Sequence, residues 1–182
     1  MGYELPATLG VRLAQSEGEV TALIGDGTFL MQPSELATAA QERLKVTVVV
    51  SDNHGYQVIR RLQMHTSGRH YGNEMRYRVG SLGEGAGALE GDYVKLDLVS
   101  VARGLGATVF AADTRDEVLD ALARAREVDG PVVIVVPTAP HVNLPPSGVW
   151  WDVAPAAVSS QPWLEEKRQA YEDGLATQRW HG

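Results

Sequence analysis

Two runs of mostly β-branched residues limit the possible folds more than any other feature of the sequence. Residues 46–50 read Val-Thr-Val-Val-Val, and residues 132–136 read Val-Val-Ile-Val-Val. Such runs are typical of strands buried on both faces, as in parallel sheets covered by helices. A helix predicted over 115–129 lies between them and begins with the capping-box pair Thr114 and Glu117. The alternation predicts an α/β fold with a doubly wound, mostly parallel sheet and helices on both faces.

Polar residues follow two of the predicted strands. Gly25-Asp26-Gly27 comes directly after the apolar strand 20–24, and Asn53 comes shortly after the Val-rich strand. Ligands of an open parallel sheet bind outside the carboxyl ends of its strands, so we expect Asp26 and Asn53 in one crevice. Mg²⁺ prefers oxygen ligands and often shares them with phosphates. The tripeptide alone is more typical of a simple turn, but together with the second strand and its Asn it predicts a magnesium and diphosphate site.

The neighbours of Asp26 suit an anionic ligand. Gly25 and Gly27 permit a sharp turn and a close approach of the backbone to the ligand, because glycine adopts torsions that are closed to other residues. Thr28 stands at the entry to the next helix and can offer its N–H and its hydroxyl to an anion.

This arrangement resembles a known signature. Gly25-Asp26-Gly27, a spacer of 24 residues and Asp52-Asn53 are similar to the motif of thiamine-diphosphate-dependent enzymes, which reads Gly-Asp-Gly, a spacer of this length and Asn-Asn. Here Asp52 replaces the first Asn, while the second Asn, the metal ligand of the family, is kept. The resemblance implies thiamine diphosphate and Mg²⁺ as cofactors, with Asp26, Asn53 and the main-chain carbonyl of Gly55 as metal ligands.

The resemblance also implies residues that contact the cofactor. Residues 1–7, Met-Gly-Tyr-Glu-Leu-Pro-Ala, resemble a segment of acetolactate-synthase-like enzymes in which the Met lies in the bend of the cofactor. Met1 is then an internal residue of a longer protein. The expected cofactor-binding residues are Met1, Gly25, Gly27, Thr28, His54 and Gly55.

Within this family, several segments resemble most the carboxyl-terminal part of the trihydroxycyclohexanedione hydrolases of myo-inositol catabolism. These segments are 25–31, 62–64, 71–78 and 148–153. The resemblance implies a hydrolase that cleaves a carbon–carbon bond of a polyhydroxylated cyclic 1,2-dione. The alternatives are an acetolactate-synthase-like carboligase or 2-oxoacid decarboxylase and, in a different class, a non-catalytic nucleotide-binding or scaffold subunit.

The resemblance assigns no catalytic residue to this chain. In the family, the catalytic Glu lies on a separate pyrimidine-binding domain, which is missing here, and Glu4, Glu35 and Glu74 are not taken as substitutes. We therefore expect the chain to be inactive without that domain. The family also implies a homodimer or a higher homo-oligomer.

The composition of the chain argues against some classes of binding partner. The chain has 16 basic and 23 acidic residues, a formal net charge of −7 and no Cys. An acidic chain without a basic run argues against a nucleic-acid partner. No apolar stretch approaches twenty residues, which argues against a membrane span. With no leader sequence at the amino end, a cytoplasmic enzyme is expected.

Three regions are predicted along the chain. Residues 1–140 form the diphosphate- and magnesium-binding domain, and 141–182 form a Pro- and Trp-rich extension that packs on the domain or on a partner. Within the domain, 56–91 reads as a long, Gly-rich loop with several Arg and His residues. Loops of this length are usually functional or disordered. Our hypothesis is a lid over the cofactor crevice that meets the substrate, and the alternative is a solvated or subunit-packing loop.

Overall fold

The structure is a computed structural model that describes residues 1–80, 89–142 and 153–179. Residues 143–152 of the Pro- and Trp-rich extension, which include Trp150 and Trp151, lie outside the described residues, as does Trp180. The elements are α1 (Glu4–Ala14), β1 (Thr21–Gly25), α2 (Asp26–Met31), α3 (Glu35–Gln41), β2 (Thr47–Asp52), α4 (Gln57–Ser67), α5 (Leu98–Gly104), β3 (Thr108–Ala111), α6 (Arg115–Ala125), β4 (Val132–Pro137) and α7 (Pro162–Ala176).

The chain forms two compact units. The first, which we call the sheet unit, comprises Met1–Tyr56 and Glu74–Pro140. The second, the helix-pair unit, comprises Gln57–Asn73 and His141–Gly182. The four strands found in the described residues belong to the sheet unit, while α4 and α7 belong to the helix-pair unit.

The four strands form one parallel sheet in the order β1-β2-β4-β3. The Val-rich runs become β2 and β4, which pair in the middle of the sheet. In the β1–β2 register Gly25 lies opposite Ser51, so the two strands end side by side. The predicted parallel α/β fold is confirmed.

Helices cover both faces of the sheet, as predicted. On one face α1, α2, α3 and α5 pack on side chains of β1, β2 and β4, and Phe29 and Leu36 are fully buried there. On the other face α6 packs on β4 through Ala121 and Ala125. The capping box of Thr114 and Glu117 forms at the start of α6.

The second face is only partly covered by the described helices. Val132, Val133, Ile134 and Val135 of β4 are all buried. Leu23 on β1, by contrast, is 75% exposed. The expected burial on both faces is therefore found for these four residues of β4. In β2, Thr47 and Val49 are only half-buried. The difference arises because α6 packs on the β4 side of the sheet.

The helix-pair unit corrects one prediction. The sequence predicts a long loop over 56–91, but Gln57–Ser67 is an α-helix. Val58 and Leu62 are spaced to share one helix face, and the segment has no Gly or Pro before Gly68, whose φ of +73° suits the end of a helix. The Gly-rich character of the segment begins only there. The lid role of the rest stays a prediction.

Side-chain contacts hold this unit together. The Arg69 guanidinium lies 3.9 Å from the centroid of the Trp163 ring, a cation–π contact. On α7, Arg168 pairs with Glu172 over 2.7 Å and donates to the main-chain oxygen of Pro155. Across the described ranges, none of the helices is both long and apolar enough to cross a membrane.

Candidate functional site

The ends of β1 and β2 bring the predicted metal ligands together. Asp26 is the first residue of α2, directly after β1, and Asn53 follows β2. Because Gly25 and Ser51 are paired in the sheet, the chain leaves both strands at the same edge. Asp26 is 1% exposed although it carries a carboxylate. A buried carboxylate at the end of a strand needs polar partners.

The side-chain amide of Asn53 meets two oxygens at this point, Oδ1 of Asp26 and the main-chain oxygen of Gly55, at 3.0 Å from each. These two acceptors favour the amide nitrogen there, and a rotation of the amide by 180° brings its oxygen to the same position. We call Oδ1 of Asn53 in that orientation, together with Oδ1 of Asp26 and the carbonyl oxygen of Gly55, the oxygen triad. An octahedral Mg²⁺ with ligands at about 2.1 Å places neighbouring ligands about 3.0 Å apart. The triad has the spacing of one face or edge of such an ion's ligand shell.

The amide of Asn53 fits this position in either orientation. With its oxygen in the triad, it faces two other oxygens, an arrangement that a cation stabilises. Turned by 180°, it would instead donate from its nitrogen to Asp26 and to Gly55 over the same 3.0 Å. The same side chain can therefore serve as a metal ligand or, without metal, as a hydrogen-bond donor that satisfies the two acceptors.

Gly55 contributes to the site through both of its backbone groups. Its N–H donates to Oδ2 of Asp26 over 2.8 Å, while its carbonyl oxygen belongs to the triad. Its φ is +138°, a torsion that favours glycine. The glycine thus allows one peptide segment to present a donor and an acceptor to the same carboxylate region.

The electrostatics of the site centre on Asp26. Burial raises the pKa of Asp26 to about 6, because the ionised carboxylate loses its hydration. The nearby Asp52 carboxylate contributes to this rise and the N–H groups of Gly27 and Gly55 oppose it, so that the value of about 6 is the balance of these effects. A cation at the triad would offset both the burial and the repulsion from Asp52.

An aromatic neighbour leaves no space for a side chain at Gly27. A Cβ at this position would lie 2.6 Å from Cδ1 of Tyr56, closer than real Cβ contacts. At Gly25 a Cβ would meet nothing within 4 Å. The backbone of Gly27 therefore lies directly against the Tyr56 ring.

The other predicted cofactor residues occupy different positions. Thr28 is half-buried in α2. Met1 is 62% exposed and precedes α1, outside the triad. His54 has a φ of +62°, and its ring stacks on Tyr93 with the centroids 4.4 Å apart. Its Nδ1 lies 3.7 Å from Oδ1 of Asp52.

A cavity of about 360 Å³ opens beside the triad. Its lining includes Asp26, Asp52, His54, Tyr93 and Lys95. A larger cavity of about 670 Å³ in the sheet unit contains none of the predicted site residues. The smaller cavity is therefore the candidate ligand site, because it alone of the two borders the converging oxygens.

Some residues of this site were not predicted. In the sequence Asp52 is only a departure from the motif, yet its carboxylate contributes to the raised pKa of Asp26. Tyr56 packs on Gly27, and Tyr93 stacks on His54. Neither aromatic residue carries a local sequence pattern that would reveal its contact. Glu74 is buried and accepts hydrogen bonds from Tyr93 and Arg76, which supports leaving it out of the catalytic candidates.

Comparison with known proteins gives a family match. The family model described as "Thiamine pyrophosphate enzyme, C-terminal TPP binding domain" matches residues 1–136. Among curated relatives, the 3D-(3,5/4)-trihydroxycyclohexane-1,2-dione hydrolase of Lacticaseibacillus casei is 33% identical over 176 residues. That of Bacillus subtilis is 35% identical over 176 residues. Each alignment covers 96% of this chain and 26% of the relative, so the chain spans about a quarter of their length.

Solved structures show the same architecture. The thiamine diphosphate-dependent 4-hydroxybenzoylformate decarboxylase of Rhodococcus jostii RHA1 superposes with a TM-score of 0.63 and 26% identity, over 76% of this chain and 23% of that chain. Benzoylformate decarboxylase from Polynucleobacter necessarius superposes with a TM-score of 0.63 and 25% identity, over 78% of this chain and 24% of that chain.

The contact between Gly27 and Tyr56 predicts the effect of adding a methyl group. We expect Gly27→Ala to displace the Tyr56 ring and to lower the free energy of unfolding by about 1–3 kcal/mol, because a Cβ overlaps the ring. Gly25→Ala is the matched control, since its Cβ has open space and its φ of −82° suits alanine. Urea unfolding of the metal-free variants measures the difference. Equal stability of the two variants would contradict the packing described above.

The burial of Asp26 predicts a pH-dependent stability. A folded-state pKa of about 6, against an ordinary 3.8, means that the ionised carboxylate costs the metal-free fold about 3 kcal/mol above pH 6. This cost falls as the pH drops from 6 towards 3.8. We therefore expect Asp26→Asn to raise the free energy of unfolding by about 1–3 kcal/mol at pH 8.

Urea unfolding in the presence of chelator at pH 8 and pH 5 measures this effect. The gain of Asp26→Asn should shrink at pH 5, where the wild-type carboxyl is largely protonated. Asp129→Asn, which changes an exposed carboxylate after α6, is the matched control. If Asp26→Asn is less stable than wild type at pH 8, the ionised carboxylate does not destabilise the metal-free fold.

Proposed function

Because the chain belongs to the thiamine pyrophosphate enzymes, as their C-terminal cofactor-binding domain, we propose that it binds thiamine diphosphate through Mg²⁺. The metal ligands in this proposal are Asp26, Asn53 and the carbonyl of Gly55. The observation that carries it is the oxygen triad, whose spacing of 3.0 Å matches neighbouring ligands of Mg²⁺. The donor set also fits, because one carboxylate and two neutral oxygens leave positions for phosphate oxygens.

The remaining cofactor contacts form part of the same proposal. Gly25, Gly27 and Thr28 follow the end of β1, where the diphosphate would meet the metal. His54 lines the cavity beside Asp26 and would face the bound cofactor or the substrate. Met1 is proposed on the family resemblance alone.

We further propose that the whole enzyme is a hydrolase of trihydroxycyclohexane-1,2-dione in inositol catabolism. The identity of 33–35% to hydrolases with this name over 96% of the chain supports the proposal. The cofactor would supply carbanion chemistry, while the protein supplies binding and orientation. The residues of this chain would hold the diphosphate end, and a pyrimidine-binding domain would complete the site. Inactivity without that domain, a homo-oligomeric state and a cytoplasmic location stay predictions.

A second function, decarboxylation of a 2-oxoacid, is supported by the superposition on a 4-hydroxybenzoylformate decarboxylase and a benzoylformate decarboxylase. Their identity of 25–26% is lower than that of the hydrolases, so the hydrolase is preferred. The carboligase and the nucleotide-binding scaffold have no specific observation in their favour.

Calorimetric titration with thiamine diphosphate tests the cofactor site. We expect binding that requires Mg²⁺, disappears with chelator and weakens at least about tenfold in Asn53→Ala, because the variant removes one metal ligand. Gln41→Ala, which shortens an exposed amide at the end of α3, should bind as wild type does. Binding that is indifferent to Mg²⁺ and to Asn53→Ala would refute the proposed ligand set.

A substrate comparison tests the reaction. The chain is assembled with the pyrimidine-binding domain and is offered trihydroxycyclohexane-1,2-dione or benzoylformate. Release of a ring-opened acid from the dione, lost in Asp26→Ala, is the expected result. Release of carbon dioxide from benzoylformate without ring cleavage would favour the decarboxylase.

A further inference from the structure

We propose that Tyr93, anchored by Glu74, is a positioning residue that holds the loop Asn53–Gly55 in the geometry needed by the metal site. The inference rests on the proposed function, since it concerns how the oxygen triad is kept in place. Tyr93 itself is not among the proposed ligands. It acts through the ring of His54, which lies between two residues of the triad in the sequence.

The loop needs an external support because its backbone is unfavourable. His54 has a φ of +62°, in the left-handed region that few residues other than glycine adopt. Such torsions persist only where the surrounding structure imposes them. The next residue, Gly55, has a φ of +138°. If His54 relaxed to a negative φ, the carbonyl of Gly55 would be reoriented relative to Asn53.

The ring of Tyr93 provides this support from the side chain. It stacks on the imidazole of His54 with an interplanar angle of 21°. The guanidinium of Arg76 also lies over the Tyr93 ring, 3.7 Å from its centroid. Contacts of this kind orient both partners, because stacked and cation–π pairs have preferred geometries.

Glu74 fixes the position of the Tyr93 ring. Its side chain is only 4% exposed, and Oε1 accepts a hydrogen bond from the Tyr93 hydroxyl over 2.8 Å. Its Oε2 accepts from Nε of Arg76 over 3.3 Å. The buried carboxylate of Glu74 thus binds both Tyr93 and Arg76, whose side chains also contact each other. A buried charge with two donors is costly to disturb, since either donor lost leaves it less satisfied.

Backbone contacts join the same elements. Gly55 and Glu74 form an antiparallel bridge, and the N–H of Met75 donates to the oxygen of His54 over 2.9 Å. The N–H of Val94 donates to the oxygen of Met75 over 2.8 Å. The segment 74–76 therefore connects the metal-binding loop with the backbone beside Tyr93. The loop is therefore held both by the stack of His54 on Tyr93 and by the backbone hydrogen bonds of segment 74–76.

Amide hydrogen exchange of the metal-free chain tests the support without any ligand. NMR follows the amides of Gly55 and Met75 in wild type, Tyr93→Phe and Tyr93→Leu. We expect exchange about five- to tenfold faster in Tyr93→Leu, which loses the stack, and a smaller increase in Tyr93→Phe, which loses only the hydroxyl. Tyr77→Leu, which changes an exposed ring directly after segment 74–76, is the matched control.

A Mg²⁺ titration at saturating thiamine diphosphate tests the consequence for the metal. We expect the Kd for Mg²⁺ to rise about tenfold in Tyr93→Leu and in Glu74→Gln, while the amount of cofactor bound at saturating Mg²⁺ stays at the wild-type level. A residue that only stabilises the fold would lower the melting temperature and leave the Kd for Mg²⁺ unchanged. Tyr93→Phe, which keeps the ring, should restore most of the affinity.

The outcomes separate this inference from the proposed function. Wild-type exchange rates and wild-type Mg²⁺ affinity in Tyr93→Leu and Glu74→Gln would overturn the inference, even if Asn53→Ala abolishes binding. Absence of Mg²⁺-dependent binding in wild type would overturn both the proposed function and the role of Tyr93 in metal binding. Should Tyr93→Leu fail to fold, Glu74→Gln decides the question by the same two measurements, with Tyr93→Phe as its near-wild-type reference.

Discussion

One hydrogen bond joins the two strand ends on which the site depends. The N–H of Gly55, after β2, donates over 2.8 Å to the buried carboxylate of Asp26, after β1. A buried carboxylate loses hydration and requires donors of this kind. The bond draws the loop after β2 towards the end of β1. This position of the loop goes together with three other features: the positive φ of His54, the oxygen triad and the stack of His54 on Tyr93.

The parts of the molecule that could be predicted follow from local patterns. The two Val-rich runs predict β2 and β4, because a strand buried within a parallel sheet reads as continuous apolar residues. The proximity of Asp26 and Asn53 follows from a topological rule, since adjacent parallel strands end at the same edge of the sheet. Each inference needed only a short stretch of sequence and the order of the elements.

The parts that could not be predicted depend on contacts between distant residues. His54 and Tyr93 are 39 positions apart, and no periodicity links them. The contact of Gly27 with Tyr56 likewise arises only once β1 and β2 are paired. The helix α4 is hidden in the sequence for a different reason, because the composition of 56–91 combines a helical part with a Gly-rich part.

The pairing of β1 with β2 determines whether the site can form. Gly25 lies opposite Ser51, and the residues of the triad come from just beyond both strands. A slip of one residue would move Asn53 by about 3.3 Å and would turn the strand's side chains to the opposite face. No misaligned sheet could then gather the three oxygens. A cation bound at the triad would therefore stabilise only chains in which these two strands are correctly aligned.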